Sequence, residues 1–309
     1  MIAVAGSTGY IGGLLCRHLR EDDVSVRALA RDPARAEDLA ALGCEVRRAD
    51  ALDPDTLGPA LEGAEVACYL VHSMGRGSDG DFAERDRRAA RNFAAAAAAA
   101  GVKRIVYLGG LGEGSEHLDS RHATAEILRE GEVPVAYLRA AAVIGAGSES
   151  FRTVYYLVRR LPLMVTPRWV STRTQPIAIA DAIACLAAAS NMETDAEREI
   201  QIGGPDVTTY GGMIDELARA LGRRPPLRIT VPVLTPTLSS LWIGLVTPVD
   251  TGVARPLIEG LETETVVSDR SGMDALGVST PTPLREALAQ AAEATARASA
   301  SPRKGTSSP

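Results

Sequence analysis

Aromatic residues are scarce in this sequence: three Phe, two Trp and seven Tyr make up 4% of 309 residues. A basic excess is also lacking, since 33 Lys and Arg face 39 Asp and Glu for a net charge of −6. A phosphate-binding surface normally shows as surplus positive charge, so nucleic acid is not an expected partner. The four cysteines, Cys16, Cys44, Cys68 and Cys185, are far apart and form no Cys-x-x-Cys pair. That argues against a disulfide frame or zinc site and leaves small buried hydrophobes in a reducing compartment. No basic segment precedes the apolar run Ile2–Ala5, so a secretory signal is not expected and the cytoplasm is the expected address. The stretch Ile229–Val249 lacks charge altogether, but prolines at 232, 236 and 248 interrupt it. A spanning helix needs about 20 continuous apolar residues, so none is expected there. The stretch reads as a pocket lining or a buried lobe, and membrane contact is disfavoured.

What is present is an alternation. Short apolar runs (Ile2–Ala5, Val24–Ala30, Glu45–Ala49, Val66–Val71, Arg104–Leu108, Val135–Leu138) are separated by helix-like segments (Ile11–Arg20, Pro33–Leu42, Pro54–Leu61, Asp81–Ala100, Ser120–Arg129). Strands alternating with helical patterns indicate βαβ units and a parallel sheet, and continuous apolar character fits strands covered on both faces. Asp32-Pro33 reads as a helix cap followed by proline at the first helical position, while Gly43 and Gly101 sit where helices should stop. The fold class is therefore α/β, a doubly wound parallel sheet with a small C-terminal α/β lobe. The expected division is a dinucleotide-binding core over 1–150, a substrate lobe interleaved with it over 151–294, and a polar, disordered tail over 295–309.

Gly6-Ser7-Thr8-Gly9-Tyr10-Ile11-Gly12 lies between the first strand and the first helix. Gly6 permits a tight turn, Gly9 lets the backbone approach a pyrophosphate, and Gly12 allows close helix packing. The helix N-terminus then offers free N–H groups to phosphates. A glycine trio alone is weak, but the strand–turn–helix context strengthens it. An NAD site usually has a carboxylate about 20 residues further on; this chain has Arg31, whose planar fork suits a 2′-phosphate. Asp32 beside it is better placed as a helix cap. NADP(H) is favoured over NAD(H).

Gly6-x-x-Gly9-x-x-Gly12, Asp50-Ala51 after the third strand and the strand end Arg104–Gly110 together resemble the atypical short-chain dehydrogenase/reductases. The resemblance is to the NmrA-like, NAD(P)H-binding sugar-epimerase-like group, over about residues 1–225. It implies that Asp50 contacts adenine with Ala51 and Leu52 beside it. It implies that Leu70, Val71, His72 and Ser73 pass under the cofactor ribose, and that Ala141, Ala142 and Val143 lie near the nicotinamide. Gly109 and Gly110 stand where reductases of this superfamily usually have serine or threonine. Active members usually carry Tyr-x-x-x-Lys, whose spacing puts both on one helix face. Anchored on Ala125-Glu126, the pair aligns with Leu118 and His122; a one-residue slip aligns His117 and Arg121. Neither register contains tyrosine.

His122 is then the candidate to hold the ribose or relay a proton, because imidazole titrates near neutrality, and Ser73 with His72 is the alternative near the hydride path. Tyr155 and Tyr156 might line a pocket, though adjacent helical residues cannot share a face. Trp169 and Arg173 are weaker candidates, and Asp181 reads as a helix cap. Two functions compete. One is an NADPH-dependent reductase of a small apolar, activated acceptor (quinone, enone or imine), which needs little acid assistance. The other is a non-catalytic NADP(H)-binding sensor, which would also lack the pair. An epimerase ranks third, and a homodimer is left open. No metal is expected.

Overall fold

The structure is a computed structural model that describes residues 1–72, 82–192, 196–231 and 262–300. Ser73, Met74 and most of the uncharged stretch, from 232 onward, lie outside the described residues.

The first half follows the expected alternation: β1 (Ile2–Ala5), α1 (Tyr10–Glu21), β2 (Val26–Ala30), α2 (Glu37–Ala41), β3 (Glu45–Arg48), α3 (Leu57–Leu61), β4 (Val66–Tyr69) and α4 (Phe82–Ala99). It continues through β5 (Arg104–Gly110), α5 (Glu116–Arg129), β6 (Val135–Ala140) and β7 (Val143–Ile144). The second half holds α6 (Glu149–Arg160), β8 (Leu163–Thr166), β9 (Arg173–Thr174), β10 (Ile177–Ala178), α7 (Ile179–Ser190) and β11 (Arg198–Ile202). β12 (Thr208–Thr209), α8 (Tyr210–Ala220), β13 (Leu227–Thr230), α9 (Ser271–Ala275) and α10 (Leu284–Ala300) complete it.

Seven strands form one sheet in the order β11-β6-β5-β4-β1-β2-β3, every pairing parallel. Ile2 is registered against both Val26 and Val66, so the chain reverses direction across the sheet between β1 and β4. Doubly wound sheets bind ligands in the crevice at such a switch point. Each sheet face has its own core: Leu15, Cys16, Leu19 and Leu186 on one side, Phe93, Tyr69, Tyr107 and Tyr137 on the other. That double cover explains why the strands read as continuous apolar runs. All four cysteines are free and buried. Burial raises the Cys68 thiol to about 11 and Cys185 to about 12, so they serve as inert core residues.

A third core joins α6, α8 and α10 through Phe151, Leu217 and Leu288. The second half is not a separate body, because β11 pairs with β6 and α7 packs on α1. Two expectations need correction. Asp181 does not cap a helix; its carboxylate accepts from the Thr282 N–H (2.7 Å) and hydroxyl (3.2 Å), fastening the C-terminal segment to α7. The chain is also still helical at 295–300: Thr295 is buried and its hydroxyl donates to the Ala291 carbonyl (2.8 Å). The apolar face of α10 continues past the point where composition turns polar, so packing overrides composition there. Asp32 does cap as expected, accepting from the Ala34 N–H at 3.1 Å.

Candidate active site

The glycine turn is built as a cradle. Gly6 has φ +83°, and a side chain on it would meet the Leu70 carbonyl oxygen at 2.6 Å. A Cβ on Gly12 would lie 2.3 Å from the Gly6 oxygen. The Gly9 N–H closes the turn onto Gly6 O (2.9 Å), and Ser7, fully buried, donates to the Leu29 carbonyl (2.9 Å) to pin it to β2. No side chain caps α1, so the first-turn N–H groups of Tyr10, Ile11 and Gly12 remain open to an anion. A bare, uncapped helix start behind a turn that admits no side chain fits a dinucleotide pyrophosphate.

A cavity of about 390 Å³ runs from this turn into the C-terminal lobe. Gly6, Gly9, Tyr10, Ile11 and Gly12 form one end, with Leu70 and His72 after β4, Gly109 and Gly110 of β5, and Ala141–Val143 after β6. Trp169, Tyr210, Met213, Ile214 and Thr265 form the other end. Tyr10 joins the two: the N–H groups of Gly147 and Ala146 meet its hydroxyl, and a Cβ on Gly147 would lie 2.3 Å from its ring. Between the ends, α6 contributes Ser150, Thr153, Val154 and Leu157. The walls are mainly apolar.

The decisive placement concerns α5. Ser115 caps it by accepting from the Leu118 N–H (3.2 Å), so the helix begins at Glu116, one turn earlier than the apolar pattern suggests. His117, Leu118 and Arg121 face the cavity. His122 does not line it. Its Nε2 lies 2.7 Å from the Gly112 carbonyl and its Nδ1 2.9 Å from the Tyr137 hydroxyl, so one tautomer satisfies both nitrogens away from the site. The slipped register is thus the one the helix presents: His117-x-x-x-Arg121 occupies the face expected of Tyr-x-x-x-Lys. Burial pushes the His117 imidazole down to about 3, with Arg121 and His72 adding to the shift, so it is neutral at pH 7. The Arg121 guanidinium donates to the Leu108 carbonyl and sits 5.5 Å from the centroid of the Tyr107 ring.

The two glycines ending β5 are matched to their neighbours. A Cβ on Gly109 would meet the Tyr137 ring at 2.5 Å, and one on Gly110 would meet Leu118 Cδ2 at 2.4 Å. Leu118 therefore fills the space a residue at 110 would need, which is the packing counterpart of the absent hydroxyl.

Other anticipated residues lie outside this cavity. Asp50 accepts from the Leu52 N–H (3.0 Å) within its own turn, and Asn92 holds the Ala51 carbonyl (2.9 Å). Val71 does not line it, and Arg31 is exposed at the end of β2. A second cleft, on the outer side of the glycine turn, is lined by Ser7, Thr8, Gly13, Arg17, Arg35 and Asp38. There Arg17 pairs with Asp38. Tyr155 is buried beneath Arg159 and Tyr156 carries Arg160 over its ring, so neither serves the cavity. Arg173 is exposed and paired with Glu264 (3.4 Å). Residues not foreseen include Glu149, paired with Arg152 (2.9 Å), and the α8 side chains Met213 and Ile214. The helical period of α8 hinted at a buried face, but nothing local said which cavity that face would meet.

A family model described as NAD(P)H-binding matches residues 6–153, the span that builds the glycine turn, β5 and α5. Over 158 residues the chain is 34% identical to quinone oxidoreductase 2 of Escherichia coli, covering 46% of this chain and 52% of that one, about half its length. It is 26% identical over 231 residues to ceramide reductase of Caulobacter vibrioides, covering 74% and 72% of the two chains. The structure of Citrobacter sp. triphenylmethane reductase complexed with NADP(H) superposes with a TM-score of 0.75 at 21% identity, over 94% of this chain and all of that one. The last likeness is one of fold.

Proposed function

We propose that this chain is an NADPH-dependent reductase of small, apolar, already activated acceptors of the quinone, enone or imine class. The observation that carries the reading is the mainly apolar cavity that starts at the glycine turn and ends in the C-terminal lobe. A non-catalytic sensor would have little reason to keep such a space open beside the cofactor.

The turn residues 6–12 would hold the pyrophosphate. Bound nicotinamide supplies a hydride; the protein must orient the acceptor, exclude water and manage one proton. His117 is neutral, so it offers an N–H to a carbonyl or imine acceptor without acting as an imidazolium acid. Arg121 puts fixed positive charge beside it, where an oxygen or nitrogen gains electrons. Water completes protonation. Such assistance is weaker than that of a tyrosine–lysine pair, which suits acceptors whose conjugation already stabilises the incoming electrons.

The preference for the phosphorylated cofactor rests on charge. Asp32 is spent on its helix cap, and Arg31 and Arg35 stand exposed near the end of β2. No carboxylate there is free for ribose hydroxyls, while two guanidinium groups can take a 2′-phosphate. The activities for which the similar proteins are named, on a quinone and on triphenylmethane dyes, agree with this acceptor class.

The test is calorimetry with NADPH and NADH, then NADPH oxidation followed by absorbance with a panel of quinones, enones and imines. Tighter NADPH binding with turnover of a panel member is the expected result. Tight binding without turnover of any member would assign the chain to the sensor class, and absence of binding would sink both.

A further inference from the structure

β8 and β13 form an isolated parallel pair, with Leu163 registered to Leu227 and Val165 to Ile229. Parallel strands are ordinarily covered on both faces. Here Met164 and Thr166 point inward, while Leu163, Val165, Leu227 and Ile229 stand 47%, 42%, 73% and 54% exposed. Only three other large hydrophobics are comparably exposed among the described residues, Met1, Leu42 and Val207, and they belong to other elements. Four aliphatic side chains in adjacent register positions make one stripe, and stripes of this kind mark a contact surface.

The flanks of the stripe are basic. Between Glu149 and Asp181, and again between Glu216 and Asp250, the sequence contains nine arginines and no carboxylate, in a chain of net charge −6. Four of them, Arg152, Arg173, Arg219 and Arg228, are ion-paired with Glu149, Glu264, Glu216 and Asp215 from outside these stretches, while Arg159, Arg168, Arg223 and Arg224 are exposed. Arg159-Arg160 ends α6 just before β8, and Arg223-Arg224 precedes β13. Arg223 donates to the carbonyls of Arg159 (2.7 Å) and Val158 (3.4 Å), and Arg159 to the Tyr155 hydroxyl (3.2 Å). These acceptors are neutral, and they hold Arg159 and Arg223 together at one end of the stripe. Arg168 is exposed just beyond the other end. The sequence leaving β13 bears no charge as far as Val249.

We propose that this face docks the protein on an anionic lipid surface, the aliphatic stripe entering the headgroup layer and the flanking arginines meeting lipid phosphates. Surface binding of this kind adds buried apolar area to attraction between basic side chains and anionic lipid, and it asks for no spanning helix. No described helix is long and apolar enough to cross a membrane. A protein partner would have to bring both an apolar strip and matching acidic flanks; a bilayer supplies both as a continuum. The back of the pair belongs to the same core as the cavity wall, since Met164 packs in the cluster that holds Met213 and Ile214. Docking would therefore bring the site near lipid-soluble compounds.

The full chain should sediment with vesicles of phosphatidylcholine plus phosphatidylglycerol and much less with phosphatidylcholine alone, the binding falling as salt rises. Leu227→Glu with Ile229→Glu should abolish it, and Arg223→Gln with Arg224→Gln should weaken it roughly tenfold or more. Both double variants should keep the wild-type NADPH affinity, which separates this proposal from the reductase reading. Failure of the wild type to bind anionic vesicles at low salt would overturn it, as would unchanged binding of either double variant. Sedimentation velocity supplies the rival outcome: a wild-type dimer split by the glutamates, without vesicle binding, would give the face to a second copy. Should the glutamate variant not fold, the glutamine pair still decides.

Discussion

The two ends of the cavity are made of different material. At the cofactor end, seven consecutive residues do the work, and they do it with backbone: two glycines that admit no Cβ and a helix start without a cap. At the acceptor end, the walls come from α5, α6, the turn at Arg168–Ser171, α8 and Thr265, segments up to about 150 residues apart. Backbone recognition is tied to local geometry and tolerates almost no substitution. Side-chain walls are assembled by tertiary packing and can be re-cut without disturbing the fold. Under the proposed reductase reading, the cofactor can thus stay constant while the acceptor varies.

The largest effect should come from breaking the cofactor end. Gly9 has φ −84°, and a Cβ there has one near neighbour, Gly6 O at 3.1 Å. Gly9→Asp would therefore fold, and aspartate would cap α1 well. Its carboxylate would occupy the phosphate position, so NADPH affinity should fall by about a thousandfold or more, at an unchanged or raised melting temperature. Calorimetry and a thermal melt on one sample check both halves. Retained affinity would mean that the pyrophosphate lies elsewhere.

The second prediction attacks the other end. Val154→Trp adds bulk from α6 into the cavity. NADPH affinity should hold within about twofold while kcat/KM for the acceptor drops roughly 10–100-fold. A parallel loss of cofactor affinity would show that the two ends are not separable. The third concerns which cofactor. Arg31→Ala and Arg35→Ala should each weaken NADPH by about tenfold and leave NADH nearly unaffected. Equal losses for both cofactors would remove the 2′-phosphate role from these residues.

This asymmetry also explains what could be read without the structure. The sheet, its order of elements and the glycine turn were legible because each follows from local pattern: apolar runs, caps and a turn only glycine can make. α5 was harder. Helix-like character is visible from Ser120, but the cap that sets its true start is Ser115, and the lost turn carries His117. With two registers open, preference fell on His122, which spends both ring nitrogens on Gly112 and Tyr137. That contact depends on β6 lying beside β5, and no spacing within α5 reports it. Tyr156 drew attention for its chemistry, yet it carries an arginine over its ring outside the cavity. Asp181 looked like a cap because it sits near a helix start, whereas its partner Thr282 is 101 residues away.

The last prediction is one of stability, and it tests whether His117 belongs to the dry interior of the cavity. The ordinary imidazole value is 6.5, and burial, together with Arg121 on the next turn of α5 and His72 after β4, lowers it to about 3. Between these values the unfolded chain binds a proton at residue 117 that the folded chain refuses. Unfolding then takes up a proton, so acidification from pH 6.5 toward 3 costs stability, with a slope of at most about 1.4 kcal/mol per pH unit from this group. Above pH 6.5 both states are neutral at this position and the contribution is flat. His117→Gln keeps an N–H donor but cannot charge, so it should lose less stability than wild type over this window, and the two curves should run parallel at higher pH. Urea melts across pH 4–8 measure the difference directly. Parallel curves over the whole range would mean that His117 titrates normally, faces water, and is free to act as an imidazolium acid. The acceptor end would then be more aqueous than its walls suggest, and acceptors that need protonation would re-enter as substrates.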